Sequence, residues 1–247
     1  MATTKTGGLG DDLYAGGWHI GGDIQSLTVG GGPATLDVTD ITQSAHSRLG
    51  GQRSGLIKVV AFHDSAAGGT VTSAHNAYSP LLLTDQVVSY LRGQALGNPV
   101  ACCNARQVNY DPTRGADGML TFAVDAQSDG FGLEWGVQIT ADPRTDTTAT
   151  VGAAYDQGAG GTNGAQAYLQ LVSLTGTNVD VAIQHSTTSG GSYSTIIDFG
   201  SQTAAPVSVR GAVTGTVDEF LKVVTTGTFT SAVFFVAFCL NLVPTVF

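Results

Sequence analysis

Apolar and polar residues alternate along much of this 247-residue chain, which is the pattern of β-strands packed on one face. The clearest example lies at 119–127, where Leu120, Phe122 and Val124 alternate with smaller or polar residues. A glycine-rich segment, 30–36, predicts a turn between two such strands. Further runs with Val, Ile, Phe or Tyr at strand-like spacing cover 24–29, 34–41, 55–63, 86–92, 100–110 and 131–139.

One segment, 64–83, departs from the strand pattern and predicts a helix. It begins with an Asp64-Ser65 cap, continues through alanine-rich sequence and reaches Pro80, a residue that ends or kinks a helix. Upstream, residues 1–23 are rich in glycine and weakly patterned, which predicts an exposed N-terminal arm. The bulky apolar residues of this arm are Tyr14, Trp18 and Ile20.

The composition of segment 141–163 divides the chain into two parts. Thr, Ala and Gly dominate this segment, so we expect a linker there. Residues 1–140 are expected to form one domain, and residues 164–247 a separate β-sandwich. The strands predicted in this second domain are 168–174, 179–186, 193–199, 207–213, 220–225 and 232–242.

Two features of the second domain carry further predictions. YLQLVSLTGT at 168–177 and FLKVVTTGT at 220–228 echo each other, and each predicts a strand that closes on a Gly-Thr turn. We favour convergent hairpin chemistry over a duplicated hairpin. In the apolar run 232–240, Phe234 and Phe235 point to opposite faces, so both faces of this strand are apolar. A central core strand explains this better than a contact between subunits, which would also account for it.

Charge and composition exclude several classes of protein. Only 12% of residues are charged, acids outnumber bases 19 to 10, and the formal net charge is −9. Such a chain lacks the clustered cations of proteins that grip nucleic-acid phosphates. A hydrophobic content of 42% argues against disorder, and the many glycines disfavour long helices. The longest apolar run is too short to span a membrane and the N-terminus has no apolar core, so we expect a soluble protein made in a cytoplasm.

The chain shows no recognisable catalytic or metal-binding motif. The three cysteines lack the spacing of a zinc site and are expected to be small, reduced hydrophobes: Cys102, Cys103 and Cys239. His63 and His75 form the nearest approach to a histidine cluster, but their spacing is not that of a metal-binding helix. The nucleophile elbow of a hydrolase and the Lys-Ser/Thr of a phosphate loop are both missing. We therefore expect no enzyme, no cofactor and no metal.

Three parts of the sequence carry a family resemblance. They are GGDIQSLTVGGGPATLDVTDI at 21–41, the segment 87–136, and the pair GAQAYLQLVSLTGT and FLKVVTTGTF near the end. Together they resemble the major tail proteins of tailed phages of actinobacteria, which form the tube of a long, non-contractile tail. The resemblance covers most of the chain and rests on extended sequence character, so it carries over no catalytic residues.

The resemblance implies an all-β fold, a tail-tube-type β-sandwich with one flanking helix. It also implies hexameric rings stacked into a hollow tube, whose inner strands join across subunits into a continuous barrel. The C-terminal residues 164–247 would be an outward-facing accessory domain. The implied partners are further copies of the chain, the tape measure protein, and the tail terminator and distal tail proteins. The implied location is the virion tail.

The acidic balance gains a meaning if the chain forms such a tube. DNA slides through a channel most freely when the wall is acidic or neutral, because a basic wall would bind phosphates by counterion release. Asp125 and Asp129 are the candidates for acids that face the lumen. The alternatives are a head-decoration or fibre protein, or a glycan-binding module in which Tyr168 or Tyr193 of the second domain would form the sugar platform.

Overall fold

The segments with alternating apolar and polar residues form an antiparallel sheet. The structure is a computed structural model that describes residues 7–64, 72–141 and 143–244. The described residues contain sixteen strands and one α-helix, so the all-β prediction is confirmed. The first eight strands are β1 (Asp12–Ala15), β2 (Trp18–His19), β3 (Ile24–Asp37), β4 (Arg48–Phe62), β5 (Gln86–Leu91), β6 (Pro99–Gln107), β7 (Asp111–Arg114) and β8 (Leu120–Ser128). The remaining strands are β9 (Glu134–Gln138), β10 (Arg144–Asp146), β11 (Thr150–Val151), β12 (Tyr155–Asp156), β13 (Ala165–Ser186), β14 (Ser194–Gln202), β15 (Val207–Val213) and β16 (Phe220–Leu240).

The strands follow one continuous path across the molecule. Their order is β14-β13-β16-β9-β6-β5-β1-β2, and β8 joins β6 to the long β3–β4 hairpin. All the described pairings are antiparallel, which suits strands joined by short turns. The sheet therefore runs without a break from the C-terminal strands into the N-terminal ones.

The glycines at 30–32 do not form the predicted turn. They lie inside β3, where Gly31 pairs with Gly55 and Gly32 with Ser54 of β4. Glycine is typical of turns, but it also extends as a strand when a neighbouring strand supplies hydrogen-bond partners. The predicted strand 24–29 and the first part of the predicted strand 34–41 are consequently one long strand of a hairpin, and residues 38–41 lie beyond its end.

The helix is shorter than the predicted 64–83. The described helix, α1, is Ala74–Tyr78, and the Ser73 hydroxyl caps it by accepting a hydrogen bond from the Asn76 N–H. Ser65 of the predicted cap lies outside the described residues. The helix ends two residues before Pro80, which has no N–H with which to continue the helical hydrogen bonds.

Two of the predicted turns in the second domain are bends inside continuous strands. The predicted strands 168–174 and 179–186 merge into β13, and the last two predicted strands merge into β16. Gly176 and Gly227 lie where these strands pair, with φ of 150° and 115°. The register shifts around Gly176, as expected for a β-bulge that bends a strand. The echo of Gly-Thr sequences therefore marks paired bends.

Segments predicted as a linker and an exposed arm join the sheet. Within 141–163, β10, β11 and β12 each pair with β16. In the N-terminal region β1 pairs with β5, and Tyr14 and Ile20 are fully buried. Composition alone does not reveal these contacts, because a short strand needs only backbone hydrogen bonds to add to an existing edge.

Three hydrophobic clusters fill the interior. One lies among residues 139–238 and packs both halves of β13 and β16. A second lies among residues 13–126. The third joins the two regions, because it brings Tyr14 and Val87 against Tyr168 and Phe235. The division into a 1–140 and a 164–247 domain stays a prediction, and this third cluster is the contact that such domains would share.

The apolar strand of the C-terminal region is a core strand, as predicted. Phe234 and Phe238 of β16 belong to the first cluster, whereas Phe235 belongs to the third. All three side chains are at most 1% exposed. Both faces of the strand are therefore buried within the chain itself.

Replacement of Gly176 by alanine should destabilise the protein. A Cβ at this position would lie 2.4 Å from the Phe229 Cα, and the positive φ disfavours any side chain. We expect Gly176→Ala to lower the free energy of unfolding by about 2–4 kcal/mol. Denaturant titration measures the change, with Gly190→Ala as the matched control because a Cβ there meets no atom within 4 Å. Equal stability of the two variants would contradict the bend.

Candidate functional site

The solvent-facing side of the β4–β8 pair carries an ordered set of charges. Lys58 of β4 lies opposite Asp125 of β8, and the lysine Nζ is 2.7 Å from the Asp125 Oδ2. Arg106 of β6 lies opposite Gln127 of β8, so it projects from the same side as Asp125. We call this surface, with Lys58, Arg106, Asp85, Asp125 and Asp129, the polar face.

Each cation of the polar face is held by carboxylates. The Arg106 Nη2 lies 2.9 Å from Asp85 Oδ1 and 3.2 Å from Asp129 Oδ2. The hydrogen bonds to Asp85 and the charges of Asp85 and Asp129 raise the pKa of Arg106 above its usual value. Two cations and three carboxylates give this face a net charge of −1. Neither cation presents an uncompensated charge to an approaching anion.

The structure brings the two predicted acids onto one surface. Asp125 lies within β8 and Asp129 directly follows that strand, and both contribute to the polar face. Sequence reasoning missed their partners Lys58, Asp85 and Arg106. These come from distant parts of the chain and meet only through the strand register, which residue spacing alone does not give.

The β3–β4 hairpin projects an exposed end and an open edge. Among the described residues, β3 pairs with no strand besides β4, so its outer row of backbone groups has no strand beside it. Near the end of the hairpin Leu36 lies opposite Leu49, and each is more than half exposed. Ile41 in the connecting loop is fully exposed. An open strand edge flanked by exposed apolar side chains is typical of a surface that another chain covers.

A buried acid lies between the two regions of the sheet. The Tyr168 hydroxyl donates a hydrogen bond to the Glu134 carboxylate, and the Arg53 Nη2 lies 3.8 Å from the other carboxylate oxygen. Burial raises the pKa of Tyr168, and the neighbouring negative charge of Glu134 adds to the effect. Tyr168 is fully buried, so it cannot be a sugar platform. Tyr193 is covered by Lys222, whose Nζ lies 3.9 Å from the ring centroid.

The structure places His63 and His75 in contact, which their spacing in the sequence does not predict. The rings of His63 and His75 have centroids 4.3 Å apart, and the His75 Nδ1 lies 2.6 Å from the Tyr110 hydroxyl. Burial and the adjacent His63 lower the pKa of His75, which favours a neutral imidazole. Across residues 7–64, 72–141 and 143–244, no three His, Cys, Asp or Glu side chains group closely enough to hold a metal ion.

Comparisons with known proteins give distant structural likenesses. No protein-family model matches the sequence, and no curated protein matches it. A chain of the virion of a native gene transfer agent particle aligns with a TM-score of 0.40 and 13% identity, covering 53% of this chain and 98% of its own. A chain of the phage p2 baseplate, in its activated conformation with Sr, aligns with a TM-score of 0.36 and 8% identity, covering 94% of this chain and 98% of its own. In the part of the chain that the structure describes, no helix is long and apolar enough to cross a membrane.

The cysteine thiols should be unreactive in the folded protein. Cys102, Cys103 and Cys239 are buried. Burial raises the pKa of Cys103 to about 12, and it also raises the pKa values of the other two thiols. Because the thiolate is the reactive form, we expect almost no reaction with an aromatic disulfide reagent at about pH 8. The same assay in denaturant should titrate 3 thiols per chain. A fast-reacting thiol in the native protein would contradict this burial.

Proposed function

We propose that this chain is the subunit of a phage tail tube, a structural virion protein that assembles into stacked hexameric rings around a channel for DNA. The sequence resemblance to major tail proteins suggests this role. The observation that carries the proposal is the polar face, on which Lys58 and Arg106 are both neutralised by carboxylates. A conduit for DNA needs a wall of this kind.

The chemistry of the polar face suits a channel wall. DNA binding gains most of its non-specific free energy when protein cations replace the counterions of phosphates. A lysine or arginine already held by a carboxylate contributes little to this exchange, because the carboxylate must first give up its partner. In the proposed tube, Asp125 and Asp129 face the lumen and keep Lys58 and Arg106 from retaining DNA.

Self-association would complete the parts of the fold that are open. The outer edge of β3 offers 14 residues of strand to a neighbouring copy, and a closed ring would leave no such edge exposed. The exposed apolar end of the same hairpin, at Leu36 and Leu49, would be covered by another copy. In this proposal residues 1–140 form the tube wall and residues 164–247 face outward.

The proposal also names partners and rival functions. The tube would contact a tape measure protein inside and tail terminator and distal tail proteins at its ends, all within the virion. A head-decoration or fibre protein would be β-rich and acidic as well, but it would not form tubes. A glycan-binding module in residues 164–247 has little support, because Tyr168 is buried and Tyr193 lies under Lys222.

Electron microscopy and light scattering on the purified protein test the assembly. We expect rings or hollow tubes with six subunits in each ring, because the open edges of neighbouring copies pair. If no assemblies are visible, purified tail-tip complexes are added to the same sample, because the subunit would then lack only an initiator of assembly. A chain that stays monomeric at high concentration, both alone and after seeding, would contradict the tail-tube proposal.

Loss of the two acids should make the channel retain DNA. Asp125→Asn with Asp129→Asn frees Lys58 and leaves Arg106 with Asp85 as its one carboxylate partner. We expect assembled tubes of this variant to hold linear DNA at low salt. This binding should weaken as salt rises, with a slope of about one counterion per freed lysine. Asp198→Asn, an exposed change in β14, is the control. DNA retention equal to that of the wild type would place the polar face away from the lumen.

A further inference from the structure

Three consecutive leucines lie on the surface between α1 and β5. Leu81, Leu82 and Leu83 are 53%, 41% and 89% exposed. Single exposed leucines are common in soluble proteins, but a contiguous apolar set usually marks a contact surface. We call residues 79–85 the leucine loop.

The leucine loop is held in a defined conformation. Leu81 has a φ of 50° and is the single non-glycine residue with positive φ in the described part of the chain. Its N–H donates to the Tyr78 carbonyl at 3.2 Å, and Gln107 donates to the same carbonyl at 2.9 Å. At the other end, Asp85 accepts hydrogen bonds from Arg106 and Asn104. A strained and anchored loop that presents leucines to water is a preformed protrusion, since strain of this kind clusters at binding sites.

A recess with an apolar part lies beside Trp135. Its volume is about 600 Å3, and Leu9, Pro99 and Trp135 form its apolar lining. Leu9 is fully exposed and Trp135 is 54% exposed. Arg92 and Asp11 line the same recess and form an ion pair at 3.4 Å, so the polar groups of the recess compensate each other. The recess has the size of a typical binding pocket and room for leucine side chains.

The protrusion and the recess lie at opposite ends of one strand pair. The leucine loop precedes Gln86, which pairs with Ala105, whereas Arg92 and Pro99 of the recess adjoin the Leu91–Val100 pair at the far end. The six residues of β5 separate the two ends by about 20 Å. Copies that stack along the β5 direction would present the leucine loop of one to the recess of the next.

We propose that the leucine loop of one copy inserts into the Trp135 recess of the next copy, which joins subunits head to tail. Complementarity within a single chain supports a second copy as the partner, since the exposed leucines of the loop match the exposed apolar side chains of Leu9 and Trp135 in the recess. A contact between two different surfaces of the same chain repeats indefinitely when it does not close, which is the geometry of stacking. The inference rests on the proposed self-assembly and identifies surfaces that would carry it.

Disulfide trapping between copies tests the contact directly. Asn98 also lines the recess, so Leu83→Cys and Asn98→Cys are made in separate chains, which are mixed under mild oxidation. The native cysteines are buried and do not compete. We expect disulfide-linked dimers when both variants are present, because the contact places the two positions side by side. Leu83→Cys mixed with Val151→Cys is the matched control, since Val151 is 64% exposed but lies in β11.

Fluorescence of Trp135 supplies a second measurement. In a Trp18→Phe background Trp135 is the one remaining tryptophan, and its emission should shift to the blue when the recess is filled. Leu82→Ser with Leu83→Ser should abolish the shift and weaken head-to-tail association by about a hundredfold. Val151→Ser should change neither, and circular dichroism verifies that each variant is folded.

The outcomes separate this contact from the tail-tube proposal. The contact would be overturned, and the tube proposal left intact, if tubes form with no more crosslinks than the Val151 control. The same holds if Trp135 stays exposed in the tubes, or if only an added saccharide shields it. Crosslinks and a blue shift in filaments without a channel would support the contact and contradict the tube. A chain that never associates would overturn both.

Discussion

Burial of β16 on both faces is the constraint on which the rest of the structure depends. Phe234 and Phe238 pack into the C-terminal cluster, whereas Phe235 packs into the cluster that reaches Tyr14 and Val87. Both edges of the strand are also paired, one along β13 and the other in turn with β9, β10, β11 and β12. One strand therefore ties the two regions of the sheet together, and neither region can lose it without exposing a large apolar surface.

The sequence indicates which residues are buried more clearly than it indicates which strands pair. The two-sided apolar run at 232–240 predicted burial correctly, and the alternation at 119–127 did so for Phe122 and Val124, whereas Leu120 at the start of the strand is 38% exposed. The bends at Gly176 and Gly227 were mistaken for turns, because a glycine followed by a polar residue has the same local chemistry in both cases. At such a glycine a strand can either turn back as a hairpin or bend and continue beside a partner strand that bends at the same place. Local sequence does not distinguish these two cases.

The partners of the charged residues in the candidate site could not be predicted from local sequence either. The resemblance to tail proteins, together with the excess of acids over bases, made Asp125 and Asp129 candidates for acids that face a channel, and this role stays a prediction. That Lys58 and Arg106 project from the same surface depends on the register of β4, β6 and β8. Ion pairs between exposed groups stabilise a fold only slightly, so in the proposed tube the arrangement would act through the potential it presents to an anion.

Arg106 connects the polar face to the leucine loop. Its guanidinium binds Asp129 on the polar face and Asp85 at the end of the loop that carries Leu81, Leu82 and Leu83. The same ion cluster therefore compensates a cation on the proposed channel wall and anchors the loop proposed to join one copy to the next. Because the proposed channel wall and the proposed subunit contact share this arginine, a substitution of Arg106 should affect both.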